Sequence, residues 1–147
     1  MSITVAQAEA AMQAAECLHS AQAVQQAIQT LAVDITAALA DKNPLFICVM
    51  NGGMVTAGHL LAHLPFPLQM DYLHATRYRG ATTGQCDVKW LCYPQNSLTG
   101  RHVLLVDDIL DEGHTLHEIV RWCKGQGAAS VQIAVLIEKI HDRRHPE

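Results

Sequence analysis

The sequence is short of several things, and each shortage narrows what the chain can be. It has no surplus of basic residues: 10 Lys and Arg stand against 14 Asp and Glu, a formal net charge of -4. Broad nucleic-acid binding rests on neutralising phosphates, so a mildly acidic chain fits it poorly. It has no cysteine framework. The five cysteines, Cys17, Cys48, Cys86, Cys92 and Cys123, include no Cys-x-x-Cys pair. An odd count without framework spacing points to a reducing compartment, and the expectation is a cytoplasmic protein. No uninterrupted apolar run is long enough to span a bilayer, and no basic stretch followed by an apolar one opens the chain as a secretory leader would. No repeat, low-complexity tract or linker divides the 147 residues, a length that suits one domain.

What is present is apolar and periodic. Half of the residues are hydrophobic, enough for a core. Thr4 and Gln7 form a capping-box pattern before a short Ala-rich helix. From Ser20 to Asp41, Val24, Ile28, Leu31, Ile35 and Leu39 recur at three- and four-residue steps, one face of a helix that Asn43-Pro44 ends. Leu45 to Met50 is a continuous apolar run, the mark of a strand buried on both faces. A helix over 54–64 follows the turn Asn51-Gly52-Gly53. Leu68 to Leu73 reads as a second strand, and the polar, Gly- and Arg-containing stretch His74 to Asp87 as a mobile loop. Val88 to Tyr93, Val103 to Val106 and Ser130 to Ile137 complete five strands. The helix between the last two carries Leu116, Ile119, Val120 and Cys123 on one face, with Gly125 and Gly127 placed to end it. Strands alternating with helices, and too apolar to be half exposed, predict a single α/β domain: a mostly parallel twisted sheet with helices on both faces. Residues 1–43 would supply N-terminal helices, 44–140 the α/β core and 141–147 a solvated tail.

In open parallel sheets, ligands bind beyond the carboxyl ends of the strands. Two such ends stand out: Val49-Met50-Asn51-Gly52-Gly53, and Val106-Asp107-Asp108-Ile109-Leu110-Asp111-Glu112-Gly113-His114-Thr115. A helix opening near Glu112 to Thr115 presents unpaired backbone N–H groups and a positive dipole end. Gly113 lets a bulky anion approach, and Thr115 adds a hydroxyl. Together they make a phosphate-sized cradle. Glu112 fits this poorly, since its charge opposes a phosphate; pointing outward, it still offers a backbone N–H. Asp107 and Asp108 suit sugar hydroxyls, and water-mediated magnesium. Asp111, between the two ends, is placed to share a proton with a nitrogen base. The plain alternative is an exposed acidic helix cap, which is common, and a Gly pair after a strand is often only a turn.

The stretch Val103 to Leu116 resembles the phosphoribosyl pyrophosphate signature of type I phosphoribosyltransferases: apolar strand, two acids, two apolar residues, Asp, a variable residue, Gly, a variable residue, Thr. Val49 to Gly53, Leu68 to Leu73 and Gly100 to Val103 are similar to the hypoxanthine-guanine branch, and the likeness runs from about Leu45 to Arg144. It implies an enzyme of purine salvage. A 6-oxopurine (hypoxanthine or guanine) attacks the anomeric carbon of phosphoribosyl pyrophosphate, pyrophosphate leaves, and IMP or GMP forms with Mg2+ as cofactor. By the same resemblance, Asp107 and Asp108 hold ribose hydroxyls and magnesium waters, and Asp111 is the general base. Glu112, Gly113, His114 and Thr115 wrap the 5-phosphate. Asn51, Gly52 and Gly53 contact pyrophosphate after a cis Met50–Asn51 bond. Arg77 and Tyr78 belong to a closing loop, and Lys139 meets the purine 6-oxo group. Relatives of this kind form homo-oligomers, dimers or tetramers; neither nucleic acid nor membrane is an expected partner.

Three departures from the pattern stand out. Asn51 replaces a common Lys, Arg77 a Ser or Thr, and Glu112 a Thr. The family also continues beyond the position of Glu147 with a strand and hood that stack on and read the purine. The expectation is therefore a fragment, or base binding weakened by a missing stack worth about 1–3 kcal/mol. A second class of reading follows: a regulatory or vestigial domain that binds phosphoribosyl pyrophosphate without transfer. An unrelated mononucleotide module is disfavoured, because such loops place Gly or Lys where this chain has its paired acids. Among other signals, His59 with His63 and His114 with His117 lack a third zinc ligand nearby, and Trp90 and Trp122 read as packing residues.

Overall fold

A computed structural model describes residues 3–77 and 88–140. Tyr78, Cys86 and the tail 141–147 therefore lie outside the described residues. Two helices open the chain, α1 (Val5–Ala14) and α2 (Ala21–Leu39). The α1 start is the expected capping box, with Gln7 N–H donating to Thr4 Oγ1 and the Gln7 side chain accepting from Thr4 N–H. No residue of α1 is buried.

Strand β1 (Leu45–Met50) has the bounds its apolar run predicts, and it lies at the centre of a five-stranded sheet. After it come α3 (Gly53–Leu61), β2 (Gln69–Arg77), β3 (Val88–Cys92), β4 (His102–Leu110), α4 (His114–Gly125) and β5 (Ser130–Glu138), and the spatial order is β3-β2-β1-β4-β5. Strands β2, β4 and β5 run parallel to β1 or to their neighbour, and only β3 is antiparallel, at the edge beyond β2.

The pleat sorts side chains onto two faces. Phe46, Cys48, Leu104, Val106 and Ala134 pack against Ile28, Ala32, Ile35 and Leu39 of α2 and Ala57 and Leu60 of α3. Leu45, Ile47, Val49, Leu73, Ala75, Val103 and Leu105 pack against Leu116, Ile119 and Cys123 of α4. This is the three-layer α/β fold the sequence predicts.

Three expectations need correction. The stretch 74–77 is not loop: β2 continues to Arg77, because Leu73 and Ala75 alternate inward to the core while His74 and Thr76 face away. Its polar letters hide a period-two strand. Strand β4 likewise runs past Val106 through both acids to Leu110, held by parallel pairing with β5 as far as Leu110↔Glu138. The claim that all strands are too apolar to be half exposed holds for β1 and the first half of β4. Ile133 and Ile137 of β5 and Leu91 of β3 are exposed, as outer strands allow.

The connection after β3 is fixed by a carboxylate. Asp71 on β2 accepts hydrogen bonds from Tyr72 N, Gln95 N, Asn96 N and Asn96 Nδ2. Burial pushes its pKa up, but these donors outweigh that and hold it below the ordinary carboxylate value.

Phe46 is fully buried between the sheet and α2/α3. Truncation to Ala removes its packing and leaves a cavity, so Phe46→Ala is expected to destabilise the chain by about 3–5 kcal/mol. Urea titration checks this through a lower midpoint at an unchanged slope.

Candidate active site

The carboxyl ends of β1 and β4 lie side by side, since the two strands pair in register from Leu45↔Val103 to Cys48↔Val106. Their following turns therefore open on one edge of the sheet. A cavity of about 350 Å3 sits there, lined by Val49, Met50, Gly52, Ala75, Arg77 and the whole stretch Asp107 to Leu116.

The β1 turn approaches β4 through its two glycines. A Cβ on Gly53 would lie 2.4 Å from the Val106 carbonyl oxygen, and one on Gly52 would lie 2.7 Å from Asp108 Oδ1. Gly53 meets backbone that cannot give, so glycine is required there, whereas a side chain at Gly52 would displace the Asp108 carboxylate from its place. The bond between Met50 and Asn51 is cis, as the resemblance implies. Of the three turn residues only Gly52 lines the cavity; Asn51 is exposed and Gly53 is buried against β4.

The acids come from the extension of β4. Asp107 Oδ1 accepts a hydrogen bond from the Asp108 N–H at 2.9 Å. Burial and the neighbouring Asp108 charge push the Asp107 pKa from the ordinary 3.8 to about 6, against the lowering effect of that hydrogen bond. Gly113 then takes a left-handed conformation with φ of 83°, where an L side chain is strained, and starts α4 without a side chain to cap it. Gly113, His114 and Thr115, where α4 opens, all line the cavity, and the first amides of a helix have no partner within it.

Two cations from distant strands meet the remaining acids. Lys139, just past β5, is tied by its N–H to the Leu110 carbonyl, and its Nζ lies 3.4 Å from Asp111 Oδ2. Arg77, the last residue of β2, forms an ion pair with Glu112. Glu112 therefore does not simply point outward, as expected from its charge. Two of the departures from the family pattern face each other. The Arg77–Glu112 contact spans 35 residues, so no local spacing announced it; the misfit of an acid in a phosphate loop was its one trace. Thus Asp107, Asp108, Asp111, Glu112, Gly113, His114, Thr115, Gly52 and Arg77 share one cavity, Lys139 joins it through Asp111, and Tyr78 lies outside the described residues.

A family model described as a phosphoribosyl transferase domain matches residues 14–147. The chain belongs to the phosphoribosyltransferase family. It is 33% identical over 123 residues to the hypoxanthine-guanine-xanthine phosphoribosyltransferase of Tritrichomonas foetus, covering 83% of this chain and 66% of that protein. It is 32% identical to the hypoxanthine-guanine phosphoribosyltransferase of Streptococcus thermophilus, covering 86% and 70%. A crystal structure of a hypoxanthine-guanine phosphoribosyltransferase from Bacillus anthracis superposes with a TM-score of 0.82 at 26% identity, covering 90% of this chain and 78% of that one. The chain thus spans roughly two thirds of the length of its curated relatives. Among the described residues of this phosphoribosyltransferase, no helix is long and apolar enough to cross a membrane, and no group of three or more His, Cys, Asp or Glu is placed to hold a metal ion.

The raised Asp107 pKa sets a pH dependence. The folded chain holds this proton more tightly than the unfolded one. The stabilisation is complete below the ordinary 3.8 and is lost as pH rises through about 6. Asp107→Asn keeps the acceptor for the Asp108 N–H but carries no charge. In magnesium-free buffer, its melting temperature is expected to exceed that of the parent above pH 6 and to converge with it toward pH 4, within about 2 °C. A gap that does not change with pH contradicts the assignment.

Proposed function

We propose that this phosphoribosyltransferase moves the phosphoribosyl group of phosphoribosyl pyrophosphate onto a 6-oxopurine, hypoxanthine or guanine, to give IMP or GMP and pyrophosphate in purine salvage. One observation carries the reading: a single cavity joins paired acids at the end of β4 to the uncapped start of α4, with Asp111 between them and against Lys139. The names of its relatives support the same chemistry.

In this reading the backbone N–H groups from Gly113 to Thr115 and the Thr115 hydroxyl hold the 5-phosphate, with Glu112 and His114 flanking it. Asp107 and Asp108 accept hydrogen bonds from the ribose hydroxyls. Gly52 borders the pyrophosphate, with Asn51 and Gly53 on either side setting the turn that carries it. A purine ring nitrogen bonds to the anomeric carbon as the bond from that carbon to the pyrophosphate oxygen breaks. The proton from the purine nitrogen passes to Asp111, which is partly exposed and lies beside the loop that would carry the sugar. Lys139, whose Nζ faces Asp111, is placed to donate to the 6-oxo group. Arg77 lines the same cavity from the end of β2.

Asp107 and Asp108 fit magnesium. They are adjacent carboxylates in a partly buried site, where burial and then the Asp108 charge raise the Asp107 pKa, and a divalent cation would favour the ionised pair. Two carboxylates are few for a protein cage, but magnesium commonly takes its remaining oxygens from water and substrate phosphates. When bound, it neutralises charge on the departing pyrophosphate. A cytoplasmic setting and a dimer or tetramer complete the reading, and size-exclusion chromatography tests the assembly.

Calorimetry with phosphoribosyl pyrophosphate and Mg2+, followed by a pyrophosphate-release assay with hypoxanthine or guanine, tests the function. Asp111→Ala is expected to lower kcat by about 10²–10⁴ while changing the affinity for phosphoribosyl pyrophosphate less than about threefold. Binding by the parent chain without pyrophosphate release would instead make it a ligand-sensing domain, and equal loss of binding and turnover in Asp111→Ala would remove the base from its assigned place.

A further inference from the structure

The helices cover the sheet unevenly, and what they leave open is apolar. Residues paired in register share one face of a sheet, so Met70, Tyr72 and His74 of β2 stand beside Phe46, Cys48 and Met50 of β1. Phe46 and Cys48 are buried against α2 and α3. One strand further out the helices no longer reach: Met70 is 51% and Tyr72 45% exposed. The opposite face of the same strand is closed, with Leu73 and Ala75 packed against α4. On β3, Leu91 adjoins Cys92, the partner of His74, and is 52% exposed. Met54 and Val55, where α3 opens just after β1, are exposed as well.

The size of this opening is informative. Each of these five side chains leaves about half of its surface, about 100 Å2, in water. The patch is then on the order of 500 Å2, and apolar patches above a few hundred Å2 mark interaction surfaces. A stable two-chain interface covers about 800 Å2 on each partner, a little over half of it non-polar. The patch supplies that apolar share. Its chemistry agrees: Met and Tyr are enriched at interface centres, and charge is depleted there. The described residues on this face of β2 and β3 include no acid, and Lys89, paired with Thr76, is the charged one. A nucleic acid or an acidic peptide would need a cluster of cations. A second copy needs none, because a two-fold axis sets an equal apolar patch against this one.

We infer that the uncovered face of β2 and β3, together with the opening of α3, is the surface on which two copies of this chain join as an isologous dimer, with Met70 and Tyr72 at its centre and Lys89 at its rim. The inference rests on the homo-oligomer in the reading above and names its surface.

Methionine oxidation tests this on the unaltered chain. Samples at about 0.1 to 100 μM span dissociated and assembled states by mass action, and peptide mass mapping after brief peroxide treatment reads each methionine. Met54 and Met70 are expected to oxidise at least about fivefold more slowly in the assembled sample, whereas Met12, 80% exposed on α1, keeps its rate. Sedimentation velocity then compares the parent with Tyr72→Lys, Tyr72→Phe and Val33→Lys. Tyr72→Lys sets like charges into the centre of the joint and is expected to raise the dimer Kd at least about thirtyfold. Tyr72→Phe keeps the dimer. Val33 is exposed on α2, outside the patch, so Val33→Lys keeps it too. Circular dichroism checks folding; if Tyr72→Lys fails to fold, the methionine rates decide alone.

A parent that assembles while Met54 and Met70 oxidise as fast as in the dilute chain overturns this surface and leaves the homo-oligomer standing. So does a Tyr72→Lys chain that assembles as tightly as the parent, or a Val33→Lys chain weakened as much. A parent that sediments as a single chain at every concentration overturns the homo-oligomer and this surface together. The two failures are thus distinguishable.

Discussion

The parallel pairing of β1 with β4 is the contact on which the site depends. It sets two strand ends side by side, and the turns that follow must then occupy the same small volume. Gly53 lets the β1 turn lie against the Val106 carbonyl, and Gly52 leaves room for the Asp108 carboxylate beside it. The acids of β4 and the opening of α4 consequently share one cavity with the β1 turn. The same strands give both faces of the sheet their most buried residues, so the packing that holds the fold also holds the site.

Charge is the second organising element. Four acids fall within the six residues 107–112, a concentration that is costly in a partly buried loop. The protein offsets it from three directions. The opening amides of α4 contribute a partial positive charge. Arg77 arrives from β2 and meets Glu112, and Lys139 arrives from the end of β5 and meets Asp111. Asp107 and Asp108 sit deeper, and burial together with the Asp108 charge leaves Asp107 hard to ionise. An arrangement with its outer acids paired and its inner acids adjacent and partly buried suits a ligand that brings hydroxyls, phosphate and a divalent cation.

Legibility in the sequence followed burial. Leu45 to Met50 was readable to the residue because a strand buried on both faces must be apolar at every position. The motif through Asp107 to Thr115 was readable because its chemistry is contiguous along the chain. The apolar pattern marks β2 only as far as Leu73, since its continuation buries only Ala75 and shows polar residues otherwise. The apolar pattern marks β4 only as far as Val106 for the same reason: paired acids do not look like strand, and pairing with β5 from Asp107↔Val135 to Leu110↔Glu138 is what extends it. Edge and outer strands have one neighbour or one covered face, and their composition carries correspondingly less of the pattern.

The amino-acid sequence by itself determined the class of fold, the central strand, the two turns where ligands should bind and the acids and glycines within them. These depend on neighbours close along the chain: hydrophobic period, capping pattern and strand–turn–helix order. Only the tertiary structure decided which distant cations meet which acids, that Arg77 ends a strand rather than starting a loop, and that Gly53 lies against β4. Side chains separated by 28 and 35 residues come together only through the order in which the sheet stacks its strands, and that order is set by the collective burial of two core faces, which no single stretch of sequence contains.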